Sequence, residues 1–449
     1  MSPHSNDTQN VDTLIEPKWI VTMDANERVL ENHTIAISGS TIVDILPSDE
    51  ADRKYTSQHH FKLGEHAACP GLINAHGHAA MNLFKGMADD LGLMDWLNHH
   101  IWPAEAKFVD PEFVHDGTLL AIAEMLRSGT TFFSDMYFFP DMAAEVAYQH
   151  RIRTQVCFPV LDFPTQWASG PDEYIHKGIR LHDQYKGNDF VHVAFGPHAP
   201  YTVSDAPLKK VGTLAKQLDC KVQIHMHETA FEVEEALVNS KQRPLARMHE
   251  LGLTSIDLQC VHMTQVDEKD IETLASTGTH VIHCPESNLK LASGFCPISR
   301  LMASGINVAL GTDGSSSNNN LDMFEELHTA ALLGKAVARD ATAVKAMDAL
   351  KMATINGAKA LGVDAFTGSL ETGKWADIIV VDFSQLEHQP VYDPVSHLVY
   401  CTSGKDVSHS WIGGVQHLHN KKLTMIDTVH LKMKARQWAR KIRGESDQG

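Results

Sequence analysis

The chain has 449 residues, 43% hydrophobic and 21% charged, the make-up of an ordinary soluble globular protein with one large domain and a smaller one. A formal net charge of -18 leaves no basic field to attract phosphates, which excludes nucleic acid and anionic membrane as the main partner. The seven cysteines (Cys69, Cys157, Cys220, Cys260, Cys284, Cys296 and Cys401) are scattered and odd in number, as free thiols of a reducing cytoplasm would be.

The first ten residues carry neither a basic start nor an apolar stretch, so no secretion signal is read there, and no run along the chain is long enough to span a bilayer. Short strands are predicted at 19–23, 34–38 and 41–46, with Gly39-Ser40 as a hairpin turn. From 69 the texture changes to apolar strands alternating with helices. The strands are predicted at 72–75, 130–134, 153–158, 191–195, 222–225, 258–262, 280–283 and 306–310. A helix ahead of 130 has Asp110 as its cap, Pro111 in its first turn and Gly129 after its end; others are predicted at 206–218, 265–276 and 342–361. Eight strand–helix units predict a (β/α)8 barrel over 69–364 rather than an open sheet. Strands return at 377–382, 409–412 and 422–425, so 11–68 and 365–430 are expected to form one small composite β-sandwich. A helix at about 428–443 opens a C-terminal segment, 431–449, of helix and tail.

Chemistry is expected at the C-terminal ends of the barrel strands. His76 and His78 follow the first strand. Side chains two apart on a strand point the same way, so the pair converges and suits a divalent first-row metal such as zinc. With 28 histidines in the chain, one chance His-x-His carries little weight. Its partners carry more. His198 ends strand four, His225, His227 and Glu228 end strand five, His262 and His283 end six and seven, and Asp313 follows eight. A titratable group at the same end of six of eight strands reads as a metal site, not as unrelated structural histidines.

Four runs carry a resemblance: Pro-Gly-Leu-Ile-Asn-Ala-His-Gly-His to His78, His-Met-His-Glu-Thr from His225, His-Cys-Pro-Glu-Ser-Asn-Leu-Lys-Leu from His283, and Gly-Thr-Asp-Gly around Asp313. Over nearly its whole length the chain resembles the amidohydrolase superfamily, and within it the mononuclear nucleobase and nucleoside deaminases. The resemblance implies one divalent metal, zinc or alternatively Fe2+, held by His76, His78, His225 and Asp313. It implies Glu228 as proton carrier and His262 beside the attacking water. The strand-four lysine of two-metal relatives is missing from 191–197. Signatures of other zinc deaminases, metalloproteases and serine hydrolases are also absent. The chemistry implied is attack of water on C6 of an adenine ring, with Asp313 taking the water's proton and Glu228 protonating N1.

The loop from Leu93-Met94-Asp95-Trp96 to Trp102-Pro103-Ala104-Glu105 resembles that of the 5′-methylthioadenosine/S-adenosylhomocysteine deaminases. That match implies Glu105 on the ribose hydroxyls, against a solvated helix-surface charge as the rival reading. It also implies His198 and Arg153 on the nucleoside, with a salt bridge at the strand start as the rival for Arg153. Trp96 and Trp102 are read as apolar walls near the thioether or as core. Asn288 joins this substrate-binding set. Members that bind adenosylhomocysteine carry an arginine where this chain has Phe158, so methylthioadenosine ranks above adenosylhomocysteine, with adenosine a third candidate. The rival readings are a guanine, 8-oxoguanine or triazine ring hydrolase on the same site and, more remotely, a non-catalytic binding protein. Relatives imply a homo-oligomer, dimer or larger.

Overall fold

The computed structural model describes residues 8–445, so most of the N-terminal stretch read for a signal, and the tail from 446, lie outside the described residues. Eight strands run parallel in chain order: Leu72–Gly77, Thr130–Asp135, Arg153–Val160, Val191–Pro197, Val222–Met226, Leu258–His262, His280–His283 and Val308–Leu310. A parallel bridge from Gly77 to Asp313 brings the last strand back to the first. The strands are buried along almost their whole length, as parallel strands covered by helices must be. Gly311 is required where the barrel closes, because a Cβ there would lie 2.8 Å from the His76 backbone nitrogen and oxygen.

The helices follow their local signals. Asp110 accepts from the Phe113 amide at 2.8 Å, and Gly129 ends Pro111–Ser128 with φ 93°. The helix expected at 342–361 is two, Ala346–Met352 and Ile355–Leu361. Between them the Ala353 carbonyl accepts from Ile73 of the first strand at 2.8 Å, a tertiary bond that no local pattern reports.

The chain ends meet in one nine-stranded sheet. Its central strand, His59–Pro70, runs parallel to Thr13–Val21 on one side and antiparallel to Ile378–Asp382 on the other. That strand escapes the hydrophobic pattern because its first eight residues, His-His-Phe-Lys-Leu-Gly-Glu-His, are mostly polar and partly exposed. The sheet encloses its own apolar core around Ile15, Ile35, Ile378 and Trp411. The C-terminal helix, Thr428–Arg443, docks on the barrel helix Pro111–Ser128. Trp438 Nε1 donates to Asp116 at 2.9 Å and its ring meets Phe113 edge-on at 5.2 Å. The cysteines are all free and six of the seven are buried. Among the described residues no helix is long and apolar enough to cross a membrane.

Candidate active site

At the C-terminal mouth of the barrel, one ligand atom each from His76, His78, His225 and Asp313 lies within 4.8 Å of the others. Hydrogen bonds on the far side aim each ring. The Nδ1 of His78 lies 2.5 Å from the Met136 carbonyl, and that of His225 lies 2.7 Å from the His198 carbonyl. Carbonyls only accept, so both Nδ1 atoms carry the hydrogen and both Nε2 atoms present lone pairs inward. His76 Nδ1 meets Gln223 Oε1 at 2.7 Å, and its fully buried Nε2 has no hydrogen-bond partner. Asp313 Oδ1 stands 3.5 Å from that atom and 3.1 Å from His78 Nε2.

Asp313 takes a left-handed φ of 60°, and its Oδ2 accepts from the hydroxyls of Ser287 at 2.6 Å and Ser317 at 3.0 Å. Burial opposes its ionisation, but the His76 and His78 imidazoles outweigh burial and hold its carboxyl well below the usual range. The same carboxylate demands a positive charge here. Although burial opposes a proton on His78, Asp313 lifts its pKa to about 9. Three converging nitrogens, one of them orphaned, and an ionised carboxylate fit a divalent cation, which satisfies that demand without a proton.

Glu228 reaches the same point from a forced turn. His227 takes φ 52°, and Glu232 clamps the turn, accepting from the His227 amide at 3.0 Å and the Glu228 amide at 2.8 Å. His227 therefore turns away, its Nε2 accepting from the Leu245 amide at 3.1 Å. Glu228 Oε2 comes within 3.8 Å of His262 Nε2. Burial, then the charge of Asp313, push the Glu228 carboxyl up to about 8. His262 is stacked on His225 at 5.5 Å, and its Nδ1 donates to Asn288 Oδ1 at 2.9 Å.

The pocket above this centre is walled by apolar side chains, Trp96 and Trp102 among them. Glu105, His198 and Tyr201 also face it, and among the described residues no lysine or arginine lines it. Burial raises Glu105 to about 7 and lowers His198 to about 4.

Three expectations are corrected. Arg153 begins the third strand at the opposite end of the barrel from the site. Its guanidinium bonds Asp377 at 2.7 Å, lies 3.6 Å over the Trp375 ring, and ties the barrel floor to the second sheet. Asn288 stands behind His262 and does not line the pocket. Phe158 faces outward, packed on Phe195 at 4.6 Å with Gly178 making room for its ring, while Pro159 faces the pocket. On a strand, adjacent residues point to opposite faces, so both cannot line it. The sequence reading also missed Gln223, Glu232, Ser287 and Ser317. Only Gln223 had a signal: it lies two residues before His225 on one strand and so shares its face.

Fold and centre together define a metal-dependent hydrolase built on a (β/α)8 barrel. The chain belongs to the amidohydrolase family, whose pattern matches residues 67–416. It is 51% identical over 438 residues to a 5-methylthioadenosine/S-adenosylhomocysteine deaminase of Saccharophagus degradans, covering 98% of both chains. A deaminase of the same name from Teredinibacter turnerae is 48% identical over 97% of this chain and 98% of its own. Among solved structures, an adenosine deaminase from Xanthomonas campestris with bound zinc superposes with a TM-score of 0.96 at 48% identity, over 97% of this chain and 100% of that one.

Proposed function

We propose that the chain is a zinc-dependent deaminase of adenosine nucleosides with a small apolar 5′-substituent, methylthioadenosine first, releasing ammonia and the inosine analogue. The observation that carries this reading is the buried Glu228, its carboxyl raised to about 8, set 3.8 Å from His262 beside a three-histidine, one-carboxylate cluster. The names of the curated relatives support the substrate class, and the zinc of the Xanthomonas structure supports the ion.

A divalent cation held by His76, His78, His225 and Asp313 would supply Lewis acidity, lowering the pKa of a water to about 7. Asp313 accepts the proton of the attacking water, its Oδ2 steadied by Ser287 and Ser317. His262, fixed by Asn288, orients the water's oxygen through Nε2. Glu228 enters the reaction protonated and gives its proton to ring N1 as C6 becomes tetrahedral. Asp313 then passes its proton to the departing amine, and Glu228 takes the hydroxyl proton as the C–N bond breaks. The product is the 6-oxo ring with N1–H.

Glu105 accepts the ribose hydroxyls, and His198 contacts the nucleoside beyond the base. The apolar walls accommodate a methylthio group. A carboxylate would find no cationic side chain there, because among the described residues neither lysine nor arginine lines the pocket. Phe158 does not reach the pocket and takes no part in this preference.

The test is an ultraviolet assay of adenine-to-hypoxanthine conversion on methylthioadenosine, adenosylhomocysteine, adenosine and guanine. The expected order places methylthioadenosine first and guanine without turnover. Guanine as the best substrate, or no turnover on any nucleoside, would overturn the proposal.

A further inference from the structure

The barrel interior below the metal ligands is not purely apolar. Gln155, Gln223 and Gln259, each 1% exposed or less, hydrogen-bond one another in the centre of the barrel. A buried amide without partners would be costly, so each must be satisfied, and their partners set which way each amide faces.

At the floor, Gln259 Nε2 donates to the carbonyl of Ala360, in the helix Ile355–Leu361, at 2.8 Å. That carbonyl can only accept, so Gln259 must present its nitrogen downward and its oxygen to its neighbours. The oxygen accepts from Gln223 Nε2 at 2.7 Å, and the same nitrogen of Gln223 donates to the Ala75 carbonyl at 2.9 Å. Gln223 is thereby left with its oxygen toward His76 Nδ1, 2.7 Å away. An acceptor there requires the hydrogen on Nδ1. Nε2, the atom with no hydrogen-bond partner, then carries the lone pair that faces Asp313. A reversed Gln223 would donate to Nδ1, put the hydrogen on Nε2 and block that lone pair.

We infer that Gln223 and Gln259 are positioning residues, a chain of amides anchored at Ala360 that holds His76 in its cation-binding tautomer. The inference rests on the reading of His76 as a metal ligand. Gln155 belongs to the same network but lies off this path, bonding Gln259 and Ser134 instead.

The experiment measures zinc affinity by competition with a chromophoric chelator, and unfolding midpoints of the zinc-free forms, for wild type, Gln223→Leu, Gln259→Leu and Gln155→Leu. Gln223→Leu should bind zinc about 10- to 100-fold more weakly, the range for loss of a partner behind a ligand. Gln259→Leu, which does not touch His76, should weaken binding by less, and Gln155→Leu should leave it unchanged while lowering the midpoint as the others do. Wild-type affinity in either Gln223→Leu or Gln259→Leu, or a loss in Gln155→Leu equal to that in Gln223→Leu, would overturn the relay alone. A merely structural network would make affinity follow the midpoints in all three. Wild type that takes up no zinc would overturn the ligand reading and the relay with it.

Discussion

Glu228 and His262 face each other across 3.8 Å, one from the turn just past the fifth barrel strand and the other from the end of the sixth, and both are nearly sealed from solvent. Glu228 is poised to carry a proton rather than a charge, since burial raises its carboxyl to about 8. Glu228→Gln keeps the shape and removes the proton carrier. It should retain a full complement of metal and lose about 10²- to 10⁴-fold in kcat. Steady-state kinetics paired with metal analysis checks this, and near-wild-type turnover would reject the role.

Removing the cation tests the cluster itself. Chelator treatment should abolish turnover, and zinc should restore it, because the Asp313 carboxylate and three histidine nitrogens converge within 4.8 Å of one another. Full activity in protein shown by elemental analysis to be metal-free would contradict the assignment of all four ligands.

Arg153 supplies a contrast between structural and substrate roles. Its ion pair with Asp377 is buried on both sides, 1% and 0% exposed. Breaking such a pair from one side leaves the other charge stranded and costs about 3–5 kcal/mol. Arg153→Ala should therefore lower the urea midpoint sharply while KM of the folded enzyme stays as it was. A raised KM with unchanged stability would restore Arg153 to the substrate.

Acid should loosen the fold through histidines far from the metal. His280, His409 and His417 are almost wholly buried, and burial pulls each down to about 4. Their unfolded pKa is about 6.5. Above that value both states are neutral and the three contribute nothing to pH dependence. Between about 6.5 and 4 the unfolded chain binds protons that the fold refuses. Stability then falls toward acid by up to about 1.4 kcal/mol per pH unit per histidine, and levels off below 4. Urea titrations between pH 7 and pH 5 measure the slope, and His417→Gln should flatten it. An unchanged slope in that variant would show that His417 titrates normally.

The barrel and its eight strands were legible in the sequence because each is locally encoded, whereas the set of four ligands was implied only by the family resemblance. Apolar runs bounded by caps mark strands and helices, and histidines at the C-terminal ends of the strands share the strand's direction. The polar part of His59–Pro70 was invisible for the opposite reason: its parallel pairing with Thr13–Val21, not its pattern, makes it a strand. The break at 353–354 likewise follows from a bond to Ile73, distant in the chain.

Resemblance could say that Arg153 and Asn288 belong to the site, but not on which side of which neighbour they would fall. Arg153 lies at the far end of a strand whose other end faces the pocket. Asn288 lies one layer behind His262. Residue order alone encodes the strand–helix alternation and which titratable groups stand at one mouth of the barrel. Only closure of the barrel decided which nitrogen of each ring looks inward, because that depends on acceptors such as Met136, His198 and Gln223, supplied by other strands and loops.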